Sequence, residues 1–492
     1  MQPRYVSLLV IVLFGGAILA GSYLVLRTNT TTSASTSAGP GDCADLTSVV
    51  RTDLTRSEFG SVTTFPLPSP QRSPNSITAA PDGSVWFGEV AVPGLAHLFL
   101  NGTLVEYPWP FPDSTPSSPL CTDRSEIWGL ALWNGLVWAS DPANNQLVGM
   151  NQTTGSFSVV PLGSSVLPRF IAIDPEDNLW FTETSLPAQI GVVSDNLSEI
   201  RYFDVPAAQG AYTASILFQD SSLAYVVTVN PADNHGQVFS FDPLAQPPVF
   251  QQVGGNQTLL GPYSVAVSQG GLWVGEHEAS HLAFYDGLSD LWSFYPTSTD
   301  PKLPLTLPYY LLSNGTSVWF NEHDANRIAQ LGGDRTTLTE YAISSTPIDQ
   351  VGIDNALTIG LDRNLVWFTA WTGNMVGFVN DSAVPSFSVT AAANSTETAI
   401  QPGSSVQFQL EVTGSSARPL NLTFSDSESI GSVPQDISFV PSIGSIHSLQ
   451  GPVDVQVTVT VGAATPPGDY LLLMTVTDGL TSRSVYVPVV VP

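Results

Sequence analysis

A short apolar strand built around one aromatic residue recurs along this chain and constrains the fold more than any other feature. The copy Leu179-Trp180-Phe181-Thr182-Glu183 is typical of the set. The seven aromatic positions are 86, 138, 180, 225, 273, 319 and 367, with tyrosine replacing tryptophan at 225. Their spacings are 52, 42, 45, 48, 46 and 48 residues. Apolar strands repeated at this period are typical of β-propellers, in which each period forms one blade. The pattern predicts an all-β fold with a seven-bladed β-propeller over residues 61–382.

Each period contains enough apolar segments for four strands separated by turns. In the third period these segments are Phe170–Ile173, Leu179–Glu183, Gln189–Val193 and Ile200–Val205. Glycine, asparagine, aspartate and proline occupy the gaps, as expected of turns. The strands are apolar on both faces, so we expect the aromatic side chains to fill the core between neighbouring blades.

The two ends of the repeat are unequal. The seventh period has no fourth strand, because the chain leaves it through Asn380-Asp381-Ser382. A spare copy of that strand stands before the first period, at residues 62–68. We predict that this N-terminal segment completes the seventh blade, which would remove a free sheet edge.

The N-terminus carries an apolar run over residues 6–26, flanked by Arg4 and Arg27. A helix of about 20 apolar residues spans a bilayer. We therefore predict a transmembrane anchor over residues 1–27, with a cleaved signal peptide as the alternative. Residues 28–60 are predicted to be a Ser/Thr-rich stalk and bridging segment, with a short helix within 42–60.

The C-terminal residues 385–492 differ from the repeat, because tryptophan disappears and Ser, Thr and Val alternate. Residues Val406–Val412 alternate polar and apolar side chains with the period of a half-buried strand. The segment Pro466–Tyr470 and the strands after it resemble the final hairpin of immunoglobulin-like domains. We predict an Ig-like β-sandwich without a core disulfide.

The net charge and the glycosylation motifs indicate the cellular location of the protein. There are 14 Lys and Arg residues against 42 Asp and Glu residues, giving a formal charge of -28, which disfavours nucleic acid as a partner. A secreted protein accounts for this balance, and an acidic or saline habitat or cation binding are alternatives. Asn-x-Ser/Thr motifs, which mark surface turns of exported glycoproteins, begin at nine asparagines: Asn29, Asn101, Asn151, Asn196, Asn256, Asn314, Asn380, Asn394 and Asn421. We predict a single-pass cell-membrane protein whose bulk is extracellular.

Two cysteines, Cys43 and Cys121, are present in the whole chain. In an exported protein they are either one disulfide that holds the segment before the propeller or two free thiols. The sequence leaves both states open.

An acidic residue ends most of the repeated strands, three residues after the aromatic position. These acids are Glu89, Asp141, Glu183, Glu276 and Glu322. The second strands of propeller blades run towards one face, so we expect the acids at one mouth of the channel. The first hypothesis is that they are structural and accept hydrogen bonds from loop amides. The second is that Glu183, Glu276 and Glu322 bind a divalent metal, Mg²⁺ or Ca²⁺.

Histidine follows two of these acids directly, in Glu276-His277 and Glu322-His323. The four residues are the candidate catalytic groups, because carboxylates and imidazoles at a mouth can act as acid and base. The letters from His277 to His281 also spell the H-E-x-x-H pattern of zinc proteases. That pattern needs a helix to bring both rings to one face, whereas here it falls at a strand end and the adjoining turn.

The unit Trp180-Phe181-Thr182-Glu183 followed by Ile190-Gly191 resembles the repeat of the virginiamycin B (streptogramin) lyases, as does the Glu-Tyr-Pro fourth strand at 106–108. The resemblance covers residues 61–380. It implies a seven-bladed propeller closed by an N-terminal strand and magnesium-assisted elimination that opens a cyclic depsipeptide. The family's key histidines lie in a Pro-His-x-Ile motif. The matching positions here, Pro262-Tyr263 and Pro308-Tyr309, carry tyrosine instead.

Three functions follow as hypotheses. The first is a membrane-anchored extracellular propeller that binds a glycan, peptide or small molecule, or that makes cell-surface contacts. The alternative is a carbon–oxygen lyase or hydrolase with a divalent metal at the propeller mouth. A structural component of a surface layer is a third.

Overall fold

The structure is a computed structural model that describes residues 46–111, 127–268, 270–299, 305–344, 356–362, 364–392, 398–426 and 436–492. Within these residues the chain is all-β, and its helical elements are two 3-10 turns, Pro142–Asn144 and His277–Ala279. No helix in the described part is long and apolar enough to cross a membrane. The predicted anchor, Cys43 and Cys121 lie outside the described residues.

The chain divides into two compact units, one built mainly on Trp86–Val253 and the other mainly on Gly254–Pro492. Strands are numbered in chain order, and each repeated sheet is called a blade. Before the repeat lie β1 (Val50–Asp53), β2 (Ser57–Phe59) and β3 (Val62–Pro66). Blade 1 comprises β4 (Pro74–Ala79), β5 (Val85–Glu89), β6 (Gly94–Leu98) and β7 (Thr103–Pro108). Blade 2 comprises β8 (Leu130–Trp133), β9 (Leu136–Asp141), β10 (Gln146–Asn151) and β11 (Phe157–Pro161).

The next two sheets follow the same order along the chain. Blade 3 comprises β12 (Pro168–Ile173), β13 (Leu179–Glu183), β14 (Gln189–Val193) and β15 (Ile200–Asp204). Blade 4 comprises β16 (Tyr212–Phe218), β17 (Ala224–Val229), β18 (His235–Phe241) and the two-residue β19 (Gln251–Gln252). The strands of blade 3 match the predicted segments to within two residues at each end.

The second unit carries three blades. The short β20 (Leu259–Leu260) precedes blade 5, which comprises β21 (Pro262–Ser268), β22 (Gly271–Glu276), β23 (His281–Asp286) and β24 (Leu291–Pro296). Blade 6 comprises β25 (Pro308–Ser313), β26 (Val318–Glu322), β27 (Arg327–Leu331) and β28 (Thr337–Ala342). Blade 7 comprises β29 (Ala356–Asp362), β30 (Leu365–Ala370) and β31 (Met375–Asn380).

The N-terminal strand β3 supplies the fourth strand of blade 7. It pairs antiparallel with β31, from Val62 opposite Val379 to Pro66 opposite Met375. Phe65 is fully buried there, with its ring 6.3 Å from that of Trp367. The predicted completion of the seventh blade is confirmed.

The repeated tryptophans form the core between blades, as predicted. All six are at most 2% exposed. In the first unit, the Trp180 ring of blade 3 lies 5.5 Å from Phe218 and 5.8 Å from Phe241 of blade 4. In the second unit, Trp273 of blade 5 shares a core cluster with Leu311 of blade 6. Side chains of one blade therefore fill the space against the next.

The prediction of a short helix within residues 42–60 is wrong for the part of that segment that the structure describes. That part forms the strands β1 and β2. Strand β1 pairs with the outer strand β7 of blade 1, from Val50 opposite Glu106 to Asp53 opposite Thr103. Strand β2 pairs with β3. The outer edge strand of a sheet has backbone groups free to form a row of hydrogen bonds with a further strand. For a segment this short, those hydrogen bonds outweigh its weak tendency to form an isolated helix.

The C-terminal strands form two sheets around one apolar core. They are β32 (Phe387–Ala391), β33 (Thr398–Ala399), β34 (Ser405–Gly414), β35 (Leu420–Asp426), β36 (Ile437–Pro441), β37 (Ser445–Ile446), β38 (Val453–Val461), β39 (Gly468–Thr477) and β40 (Thr481–Val491). One sheet has the order β32-β34-β38-β36, and the other contains β40-β39-β35-β37. Burial alternates along β34, as predicted from its sequence.

The second of these sheets is continuous with blade 6. Strand β40 pairs with the outer strand β28, from Thr337 opposite Val485 to Tyr341 opposite Thr481. Leu473 and Tyr486 also join the apolar cluster of blades 5 and 6. The C-terminal strands are therefore joined to blade 6 by this strand pairing as well as by the linker along the chain.

Candidate functional site

The acids that end the second strands are buried, and most of them are engaged by their own surroundings. Their exposed fractions are 0% for Glu89, 1% for Asp141 and Glu183, 4% for Glu276 and 0% for Glu322. Asp141 accepts hydrogen bonds from Asn144 Nδ2 at 3.0 Å and from Gln146 Nε2 at 2.8 Å. Glu183 accepts a hydrogen bond from the Ser185 hydroxyl. These contacts fit the structural hypothesis for the acids.

Blades 1 and 6 contain the same buried arrangement of one arginine and two glutamates. In blade 6 the Arg327 Nη1 atom lies 3.6 Å from Glu322 and 3.5 Å from Glu340. Burial, together with the Glu340 charge, raises the pKa of Glu322 well above its usual value, and Arg327 offsets part of this rise. In blade 1, Arg72 lies 2.6 Å from Glu106 and 3.9 Å from Glu89. Glu322 and Glu340 are the counterparts of Glu89 and Glu106, whereas the arginine differs in position, Arg72 before β4 and Arg327 at the start of β27. In blade 6 a cation of the protein itself thus lies beside Glu322.

Glu276 has a different environment at the end of blade 5. Its Oε1 accepts a hydrogen bond from the Leu260 amide at 2.9 Å. Burial raises the pKa of Glu276 to about 7, although that hydrogen bond acts to lower it. A carboxyl group with this pKa can exchange a proton near neutral pH.

The His277–His281 pattern does not lie on an α-helix. Residues His277–Ala279 form one 3-10 turn, Ser280 adopts a left-handed conformation with φ of 53°, and β23 begins at His281. Burial lowers the pKa of His281 to about 4. The two imidazoles are therefore not presented on one helix face, which agrees with the prediction from the strand-end position of the pattern.

Two histidines and two tyrosines from successive blades meet at the strand ends of the second unit. The rings of His277 and His323 are 6.0 Å apart. Tyr263 lies 5.4 Å from His277 and 5.3 Å from Tyr309. Tyr309 lies 5.7 Å from His277 and 6.1 Å from His323. All four side chains are at most 5% exposed. We call these residues and Glu278 the Tyr-His cluster.

Glu278 supplies the carboxylate of the Tyr-His cluster. The His277 Nδ1 atom lies 3.0 Å from Glu278 Oε1. Burial acts to raise the pKa of Glu278, but the hydrogen bond from His277 and the neighbouring His277 and His323 leave it below its usual value. The side chain of Glu278 is 15% exposed against 3% for His277, so Glu278 is the more exposed of the two.

His323 is fixed by the backbone of blade 7. Its Nδ1 donates to the Ala356 carbonyl at 3.2 Å, and the ring is 5% exposed. Burial lowers the pKa of His323, with His277 acting in the same direction and Asp324 opposing it. A neutral imidazole held by a carbonyl through Nδ1 presents Nε2 as its acceptor atom.

The structure brings some predicted site residues together and leaves others apart. His277 and His323 meet, while the strand-end acids Glu276 and Glu322 are engaged by Leu260 and Arg327 respectively. Glu183 belongs to the other compact unit. Among the described residues, no group of three or more His, Cys, Asp or Glu side chains is placed to hold a metal ion. The metal site with Mg²⁺ or Ca²⁺ stays a prediction.

Tyr263, Tyr309 and Glu278 were missed as site residues. A signal was present in the repeat, because positions 263 and 309 differ by the same 46 residues that separate Trp273 from Trp319 and His277 from His323. Tyrosine and histidine at equal offsets in two adjacent blades must lie side by side once the blades stack.

Comparison with solved structures finds the virginiamycin B lyases. The lyase from Staphylococcus aureus is 20% identical with a TM-score of 0.52, and the match covers 65% of this chain and 98% of that one. A streptogramin B lyase is 20% identical with a TM-score of 0.51, covering 65% and 97%. The catalytically inactive S. aureus enzyme with quinupristin is 18% identical with a TM-score of 0.50, covering 65% and 98%. No family model and no curated protein matches. At this identity the likeness shows a β-propeller fold.

Proposed function

We propose that this protein is a ligand-binding β-propeller of the cell surface and that the Tyr-His cluster forms its binding site. The observation that carries the proposal is the convergence of two imidazoles, two phenols and one carboxylate from adjacent blades. Such groups combine large apolar faces with hydrogen-bonding atoms, which is typical of ligand sites built from aromatic side chains. The acids that end the second strands already have partners within the protein, which makes them less suitable as ligand contacts.

We further propose that an N-terminal transmembrane helix over residues 1–27 displays the propeller outside the cell. The apolar run, the scarcity of basic residues and the Asn-x-Ser/Thr motifs support this location. The C-terminal sandwich is proposed to be Ig-like, supported by its two sheets over one core, which are antiparallel apart from the short β33–β40 pair. The partner is then an extracellular glycan, peptide or small molecule.

The test is binding of the full chain to arrays of glycans and cell-wall extracts. A double variant, His277→Gln with His323→Gln, removes both imidazoles while keeping polar side chains. His235→Gln is the matched control, because His235 is exposed at the start of β18. We expect retained binding in the control and at least tenfold weaker binding in the double variant. Equal binding by all three proteins would exclude the cluster as the site.

A lyase or hydrolase is the second candidate, favoured by the Glu278–His277 pair. A carboxylate that orients an imidazole is a common arrangement for a general base. The test is incubation of the full chain with quinupristin and Mg²⁺, followed by mass spectrometry of the ring-opened product. Calorimetric titration with Mg²⁺ and Ca²⁺, repeated with Glu276→Gln and Glu322→Gln, tests the predicted metal. The absence of both ring opening and metal binding in these assays would remove this candidate.

A further inference from the structure

The first strands of blades 3, 5 and 6 carry an irregularity at the same place. In each, the proline that begins the strand lies opposite the acid that ends the second strand, as Pro168 lies opposite Glu183, and the register then shifts. A β-bulge of this kind redirects a side chain and is common beside functional sites. In blades 5 and 6 the residue after that proline is a tyrosine of the Tyr-His cluster, whereas in blade 3 it is Arg169.

The guanidinium group of Arg169 packs against aromatic rings from three successive blades of the first unit. Its Cζ atom lies 4.9 Å from the ring centroid of Trp128, 5.6 Å from that of Phe170 and 5.8 Å from that of Tyr212. Trp128 precedes β8 of blade 2, while Phe170 and Tyr212 belong to β12 and β16. Arg169 is 7% exposed, and Trp128 is half-buried, so solvent reaches the group. We call these four residues the Arg169 cluster.

The backbone that carries Arg169 is fixed by blade 2. The Ser140 hydroxyl donates to the Arg169 carbonyl at 2.5 Å and accepts a hydrogen bond from the Gly129 amide at 2.8 Å. A Cβ added at Gly129 would lie 2.4 Å from the Arg169 carbonyl oxygen and 2.8 Å from the Ile171 amide nitrogen, so this close approach requires glycine. A charged group held in this way is ordered before a ligand arrives, which lowers the entropy cost of binding.

The chemistry of this arrangement favours one class of anion. A guanidinium group stays charged at neutral pH and carries five N–H donors in one plane, so it can bind a ligand alongside protein partners. Rings packed over its faces leave these donors at its rim, where they match the planar geometry of a carboxylate. The same rings supply an apolar surface for the rest of a ligand.

We propose that the Arg169 cluster binds the carboxylate group of an organic acid whose apolar part packs against Trp128. The carboxylate accepts hydrogen bonds from the guanidinium rim, and the positive charge stabilises it. This site lies in the first unit and is separate from the Tyr-His cluster, so it adds a second ligand class to the proposed function and does not depend on it.

The test compares benzoate, benzyl alcohol and benzylammonium, which share a phenyl ring and differ in charge. Binding to the full chain is measured by ligand-observed NMR titration at pH 7 and physiological ionic strength, which screens the distant charges of this acidic protein. We expect benzoate to bind about tenfold more tightly than either other probe. Arg169→Gln should abolish this preference, and Trp128→Leu should weaken benzoate binding about threefold.

Arg201→Gln is the matched control, because Arg201 Cζ also lies 5.9 Å from a ring centroid, that of Phe203, but its side chain is 39% exposed. The thermal midpoint of each variant shows whether it is folded. Arg169→Lys is a second variant, which keeps the charge without the planar fork and should bind benzoate more weakly than the native protein.

Three results would overturn the proposal: no binding of benzoate, a preference for benzoate that survives both Arg169 substitutions, or an equal loss in Arg201→Gln. Tighter binding of inorganic phosphate than of benzoate would overturn the carboxylate class.

Discussion

Glu276 and His281 lie directly opposite each other across β22 and β23, and burial shifts their pKa values in opposite directions. The pKa of Glu276 rises to about 7 and that of His281 falls to about 4. Each group is therefore held towards its uncharged form. Among the residues that the structure describes, the buried Nε2 atom of His281 has no hydrogen-bond partner. Burial thus makes the strand-end acid of blade 5 much easier to protonate than an exposed glutamate.

This relationship predicts how stability depends on pH. The folded-state pKa of Glu276 lies above its unfolded value of about 4.5. The stability that protonated Glu276 adds to the free energy of unfolding is therefore complete below pH 4.5 and is lost as pH rises through 7. A shift of this size corresponds to about 3 kcal/mol. We therefore expect the free energy of unfolding of Glu276→Gln, relative to that of the native protein, to rise by about 3 kcal/mol between pH 4.5 and pH 8.

Urea unfolding of the two proteins at each pH measures this difference directly. His281 opposes Glu276 in the native protein, because its lowered pKa gives stability above pH 6.5 that is lost as pH falls to 4. His281→Gln should therefore show the opposite trend and serves as the control. A difference between Glu276→Gln and the native protein that does not change with pH would contradict the burial of a titrating carboxyl group.

The contact between the C-terminal strands and blade 5 predicts a local effect. The Tyr486 hydroxyl donates to the Pro296 carbonyl at 2.8 Å, and Tyr486→Phe removes this buried hydrogen bond at a cost of about 1 kcal/mol. Amide exchange in residues 297–299 should then accelerate about fivefold. Tyr470→Phe is the control, because Tyr470 donates to Pro466 inside the sandwich. Faster exchange of this segment in both variants would contradict a specific contact.

Completion of blade 7 by the N-terminal strand predicts a large loss of stability from one side chain. Phe65→Ala empties a buried site beside Trp367 and Phe378 and should cost about 3–5 kcal/mol. Val384→Ala, at a position that is 88% exposed, should change the free energy of unfolding by less than about 0.5 kcal/mol. Equal midpoints for the two variants in thermal unfolding would show that β3 does not stabilise the blade.

The Asn-x-Ser/Thr motifs have a structural role that can be separated from glycosylation. Asn314 Oδ1 accepts hydrogen bonds from the Thr316 amide and hydroxyl, each at 3.0 Å, and from the Ser317 amide at 2.8 Å. Asp82 Oδ1 accepts the equivalent hydrogen bonds from the Ser84 amide and hydroxyl. Asn314→Asp should lower the thermal midpoint less than Asn314→Ala, which should lose about 1 kcal/mol, although aspartate also replaces the exposed hydrogen bond from Asn314 Nδ2 to Asp381 with like-charge repulsion. A midpoint lowered equally by both would reject the turn role, and the intact mass of the native protein tests glycosylation.

Much of the propeller could be predicted because its core repeats in the sequence. A buried tryptophan such as Trp180 recurs in six of the seven blades, and an acid such as Glu183 recurs at the strand end in five, so both are visible as a period. The outer-edge pairings were not visible. Strand β40 joins β28 through backbone hydrogen bonds across more than 100 residues, and such pairing leaves little trace in side-chain pattern.

The candidate site was predicted in part for a similar reason. His277 and His323 stand out in sequence because each follows a strand-end acid. Tyr263 and Tyr309 each contact the histidine of their own blade. The meeting of these two pairs depends on how blades 5 and 6 stack. Glu278 joins them only because Gly261 leaves room for its side chain.

The central claim is that ligand binds at the Tyr-His cluster, and histidine side-chain NMR tests it most directly. Imidazole signals are assigned by substitution in the full chain and followed during titration with a ligand identified on the arrays. We predict that the signals of His277 and His323 shift on saturation while that of the exposed His235 does not. Saturable binding that leaves both His277 and His323 unchanged would contradict the account.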